Sequence, residues 1–130
     1  MTEKERSAKI KIAGEEYELL LTVLATKEIA RRYGSLESIA EKIYNTDDMA
    51  TSLEETIWLV VLLANQSIAI HNLRNKDNPK AKLSTEEVEL LISPYELADF
   101  KDAIIAAMTK GSERFIQSEE ETAPKKKADE

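Results

Sequence analysis

Apolar and polar positions change rhythm along this chain. Near the N-terminus they alternate: Ile10 and Ile12 sit between Lys9 and Lys11, and Tyr17, Leu19 and Leu21 alternate with Glu16 and Glu18. A period of two marks strands with one buried face. Between the two runs, Gly14 can take the positive φ of the first central position of a two-residue turn. The pattern therefore predicts a β-hairpin over residues 8–22. That register sets Ile12 opposite Tyr17, Ile10 opposite Leu19, and Lys11 opposite Glu18, a favourable cross-strand charge pair. A lone hairpin is marginal in water, so it must lean on helices or on another subunit.

After Thr22 the period becomes helical, and residues 23–116 read as helices. Thr22 or Thr26 caps a first helix that ends at Gly34, a natural residue to follow a helix. Ser35 then caps a short helix carrying Leu36, Ile39, Ala40, Ile43 and Tyr44. Residues 45–51 form a polar loop, in which Asp47 and Asp48 read as a solvated turn. Ser52-Leu53-Glu54-Glu55 has the form of a capping box and predicts a helix start, with the helix running to about Asn75. A loop around Pro79 follows. Ser84-Thr85-Glu86-Glu87 is a second capping box, and Ser93-Pro94 places proline in a first turn. The last helix gathers Leu97, Phe100, Ile104, Ala107 and Met108 on one face. Gly111 is expected to close it, with Phe115 and Ile116 docking back. Residues 117–130 are polar and are expected to be a disordered tail or linker. The reading is thus an α+β fold: a hairpin on about five helices, one domain over 1–116, and a charged tail.

Composition narrows the function. The chain has 130 residues, 25 acids, 18 bases and a net charge of −7. A negative field disfavours nucleic acid, which needs a phosphate-neutralising basic surface. Cysteine is absent and histidine occurs once, as His71. That removes disulfides, thiolate chemistry and a multi-histidine metal site within one chain. The longest uninterrupted apolar run, Ile57–Ala64, is eight residues, well short of a bilayer span. These features point to a cytoplasmic protein without a membrane partner.

No enzyme constellation emerges. His71 falls on the stripe of Ala64 and Ile68 and reads as a histidine at a core margin. Ser52, Ser84, Thr85 and Ser93 are accounted for by helix capping. The three glycines are dispersed and form no phosphate loop. Lys76, Lys80 and Lys82 cluster near Pro79 without the aromatic residues that a single-strand binder interleaves. No catalytic, cofactor-binding or metal-binding residue is assigned, and no cofactor is expected.

The long third helix is apolar on more than one face. Leu53, Ile57, Val60, Val61, Ala64 and Ile68 form one stripe, and Trp58, Leu59, Leu62, Ile70 and Leu73 add a second. Such a helix is either central or covered by a partner. Trp58, Leu62 and Leu73 are therefore the candidate partner-binding residues. A homo-oligomer is expected through this face or through the open hairpin edges.

The order of these features resembles a family. "IKIAGEEYELLLT" leading into "LATKEIARRYGSLESIAEKI" is similar to the small tail assembly chaperones of long-tailed phages and prophages, especially those of Gram-positive hosts. The matching residues are Ile12, Gly14, Tyr17, Leu19, Tyr33 and Gly34, within the first 45 residues. The resemblance implies a non-enzymatic protein that binds the tape measure protein and keeps it soluble while tail tube subunits polymerise. It implies a second partner in the tail tube protein, and absence from the finished virion. It carries over no residue-level site. It also implies a longer form made by frameshifting near the end of the short reading frame, for which the codons of Lys125-Lys126-Lys127 are the candidate slippery stretch. Beside it stands a different class: a small helical adaptor or regulatory subunit with one protein partner.

Overall fold

A computed structural model describes residues 7–35 and 37–122, with side chains described as far as Gly111. The fold is α+β. Strands β1 (Ala8–Ile12) and β2 (Glu15–Leu19) form an antiparallel hairpin. Helices α1 (Val23–Tyr33), α2 (Glu37–Ile43), α3 (Met49–Arg74), α4 (Thr85–Leu91) and α5 (Leu97–Thr122) follow, with a 3-10 turn at Pro94–Glu96 before α5. Residues 123–130, with Lys125–Lys127, lie outside the described residues, as do the side chains of Phe115 and Ile116.

The hairpin turns one residue earlier than the glycine alone suggests. Its two central residues are Ala13 (φ 53°) and Gly14 (φ 84°), both in the left-handed region. Two such residues make a turn whose twist matches that of the strands. Lys11 therefore faces Glu16, Lys9 faces Glu18, and Ile10 faces Tyr17. The pairing is displaced by two residues from the expected one, so each side chain keeps its face. A left-handed alanine costs about 1–2 kcal/mol. Two cross-strand lysine–glutamate pairs, where the expected register has one, offset part of it at about 0.2–1 kcal/mol each.

Helix ends follow local chemistry. Thr22, not Thr26, caps α1, its hydroxyl accepting from the Ala25 amide at 3.0 Å. Gly34 closes α1 at φ 86°. Ser35 accepts from the Ser38 amide at 3.3 Å. At α3 the expected start at Ser52 is wrong by about a turn. The Asp48 carboxylate accepts from the amides of Ala50 (3.0 Å) and Thr51 (3.4 Å) and caps the helix. A carboxylate at a helix N-terminus gains from the helix dipole as well as from these bonds. Ser52 instead donates to the Ile43 carbonyl at 2.8 Å, tying α2 to α3. The Ser84 capping box forms with both of its bonds.

Gly111 does not end α5, which continues to Thr122 and so takes in residues 117–122 of the expected tail. The reason for glycine lies across the fold. A Cβ at this position would stand 2.9 Å from Leu21 Cβ and 3.0 Å from its Cδ2. Glycine lets the helix press against the chain leaving the hairpin.

α3 is the hub, touching β2 and each of the other four helices. Ile57, Leu59, Val60, Leu63 and Ala64 are buried on it in one cluster with Ile29, Ile39, Ile43 and Ile104. The Leu20 amide donates to the Leu63 carbonyl at 3.2 Å, and Ser67 Oγ donates to the Glu18 carbonyl at 2.9 Å. β2 is thereby fastened to the helix. Buried Gln66 accepts from Thr22 Oγ1 at 2.6 Å and donates to the Leu62 carbonyl at 3.0 Å, so its amide is satisfied at both ends. By length and composition α3 could cross a bilayer, and half of its most apolar stretch is buried inside the fold.

Candidate partner-binding surface

Trp58, Leu62 and Leu73 occupy three different settings. Trp58 is half-buried. The Arg32 guanidinium lies over its ring at 4.3 Å, and the Tyr33 ring meets it edge-on at 6.0 Å. Glu55, one turn before Trp58, completes the group. It accepts from Arg32 Nε at 2.8 Å, from the second guanidinium nitrogen at 3.1 Å, and from Tyr33 Oη at 2.6 Å. Arg32 foremost, then Tyr33, holds the Glu55 carboxyl below its ordinary range. Burial, then the bond to Glu55, pushes the Tyr33 hydroxyl up. The end of α1 thus roofs the tryptophan, and the residue that pattern assigned to a capping box is its anchor.

Leu62 is half-buried against the core, whereas Leu73 is 70% exposed. They are eleven residues apart, about 16 Å along the helix axis. Between them a strap of extended chain crosses the same side of α3. Asn65 donates to the Leu83 carbonyl (2.9 Å) and accepts from its amide (2.8 Å). Asn72 does the same for Lys80, at 3.0 and 2.7 Å. The structure therefore brings Trp58 and Leu62 to one end of this face and leaves Leu73 beyond the strap.

The most exposed apolar side chains lie elsewhere. Val23 (86%) and Leu24 stand at the start of α1, and Leu90 (79%), Leu91 and Tyr95 (91%) at the corner between α4 and α5. Tyr44 and Met49 are exposed at the junction of α2 and α3. Position on the helix was the available signal. Val88 is the buried residue of α4, so Leu90, two residues on, must face away from it.

An open groove of about 690 Å³ runs between β2 and the second half of α3. Glu15, Glu16 and Glu18 line one wall, Arg74 and Lys80 contribute the opposite charge, and His71 lies among them. His71 Nε2 lies 3.0 Å from the Asn78 carbonyl, which ties it to the loop after α3. Among the described residues no group of three or more histidines or carboxylates gathers where a metal ion would sit. Comparison finds no matching protein family, no matching curated protein and no matching solved structure.

Proposed function

We propose that this chain is a non-enzymatic tail assembly chaperone of a long-tailed phage, which binds the tape measure protein and keeps it soluble while tail tube subunits assemble. Its place of action is the host cytoplasm, and it leaves before the virion is complete. The observation that carries the reading is the N-terminal segment bearing Ile12, Gly14, Tyr17, Leu19, Tyr33 and Gly34. These residues lie in one hairpin-and-helix unit whose outer surface, and that of the helices after it, exposes large apolar side chains. Exposed apolar patches on a small domain mark surfaces for protein partners.

Co-expression with a tape measure protein, the very long chain that this reading expects to be encoded nearby, tests it. The expected result is a soluble complex of the two chains, with the long protein insoluble when expressed alone. A long protein that remains insoluble with this chain present overturns the proposal. Neighbouring genes of metabolism or signalling, in place of a tail tube gene and a tape-measure gene, favour the adaptor class.

A further inference from the structure

We infer that this chain associates with copies of itself through two unlike patches, the outer face of α1 on one copy docking on the α4–α5 corner of the next.

Both patches combine exposed apolar groups with a net charge, positive on α1, where Lys27 and Arg31 outnumber Glu28, and negative at the corner. α1 buries Ala25, Ile29 and Tyr33. Its opposite side carries Val23, Lys27 and Arg31 at four-residue spacing, with Leu24 beside them, all exposed. Lys27 has no intramolecular partner among the described residues, and Arg31 has only Glu28, at 3.5 Å on the open surface. The α4–α5 corner is the complement. Leu90, Leu91 and Tyr95 are exposed, and from Leu83 to Phe100 the chain has five acids and no base. Glu87 and Glu96 are spent on the amides of Ser84 and Ser93. Glu86 and Glu89 are exposed and make no hydrogen bond or ion pair among the described residues.

The spacings agree. Lys27 and Arg31 are about 6 Å apart along their helix, and Glu86 and Glu89 about 4.5 Å along theirs. Two charge pairs can form while the leucines, Val23 and Tyr95 leave water together. Patches of one charge repel their own kind, so α1 does not meet α1, nor the corner the corner. The hairpin edge is a weaker candidate. Pairing β1 with β1 sets Lys9 and Lys11 against their own copies, and β2 is already fastened to α3 through Glu18 and Leu20. A lipid surface, which is anionic, suits the α1 patch alone and leaves the acidic corner unexplained. A contact this small is reversible, dependent on concentration and weakened by salt. The inference does not depend on any client.

Light scattering and sedimentation of the full chain test it. The wild-type mass is expected to rise above 14.7 kDa with concentration and to fall back at high salt. The double variants Lys27→Glu/Arg31→Glu and Glu86→Lys/Glu89→Lys are each expected to weaken association at least about tenfold, because like charges then face each other. Mixing the two variants restores it, since each now offers the charge that the other lacks. Tyr95→Ser, which changes no charge, is expected to weaken association too. Circular dichroism confirms that every variant is folded. A wild type that stays at 14.7 kDa overturns the inference. So does either double variant associating like the wild type, or a mixture that stays monomeric.

Discussion

Asn65 and Asn72 stand two helical turns apart on α3, and each holds both backbone polar groups of one residue in the strap, Leu83 and Lys80 respectively. The match is metric. Seven helical residues rise about 10.5 Å, and three extended residues span about 10 Å. Asn65→Ala is expected to lose two hydrogen bonds and to destabilise the fold by about 1–2 kcal/mol in urea unfolding. Hydrogen exchange at the Leu83 amide should accelerate. Unchanged exchange there means that the carboxamide does not hold the strap.

Gly111 and Leu21 make a second prediction. In an ordinary helix interior, replacing glycine by alanine stabilises by up to about 1 kcal/mol. Here the new methyl would meet Leu21 Cβ at 2.9 Å. Gly111→Ala should instead destabilise by about 1–3 kcal/mol. In the Leu21→Gly background, which removes the Cβ as well as the rest of the side chain, the same change should cost less, and a double-mutant cycle reads that coupling. Strict additivity of the two changes would deny the contact.

The carboxylate beneath Arg32 gives a pH dependence. Glu55 is held below its ordinary value of 4.5 in the folded chain. Its contribution is therefore fully present above that value and is lost as pH falls through the lower folded value. Asp48, depressed by its bonds to Thr51 and Ala50, acts in the same direction. Thermal melts between neutral pH and pH 3 should show stability falling, and Glu55→Gln in an Asp48→Asn background should flatten that fall. An equal slope with and without Glu55 removes it from the account.

Trp58 is the single tryptophan, so its fluorescence reports on the cluster around it. Arg32→Met removes the overlying cation and should shift the emission without unfolding the chain. Trp58→Ala should cost about 2 kcal/mol, less than a fully buried aromatic, because the ring is half-buried. Leu73→Ser should stay within about 0.5 kcal/mol of wild type, as exposed positions do. A large loss from Leu73→Ser would show that the solvent-facing side of α3 carries stability.

Much of the fold is legible in the sequence, because local signals and burial agree. Thr22, Gly34 and Ser84 mark helix ends by their own hydrogen bonds or backbone angles. The buried face of α5, from Leu97 through Phe100 and Ile104 to Met108, follows from periodicity alone. What escapes is decided by partners distant in the chain or by competition between near-equal signals. Asp48 reads as part of a solvated turn and Ser52 as the cap, yet the carboxylate takes the cap, where it gains from the helix dipole as well as from its hydrogen bonds. Gly111 reads as a stop until Leu21, ninety positions earlier, is seen against it. Asn65 and Asn72 look like polar interruptions of an apolar helix until the strap arrives over them. The candidate face on α3 was legible as apolar, but its coverings, Arg32 and the strap, were not.

One bond spans almost the whole length of the chain. The Lys110 ammonium donates to the Ser7 carbonyl at 3.0 Å, where α5 lies along β1. During synthesis the hairpin leaves the ribosome before the helices, and α5 is the last of the described helices to emerge. Ile10 and Ile12 therefore wait for most of the domain to be translated before that helix can shelter them. Over that interval the nascent chain bears an apolar two-stranded edge, the state most open to mispairing with a neighbour on the same message. The Lys9–Glu18 and Lys11–Glu16 pairs on its other face keep that waiting hairpin in register.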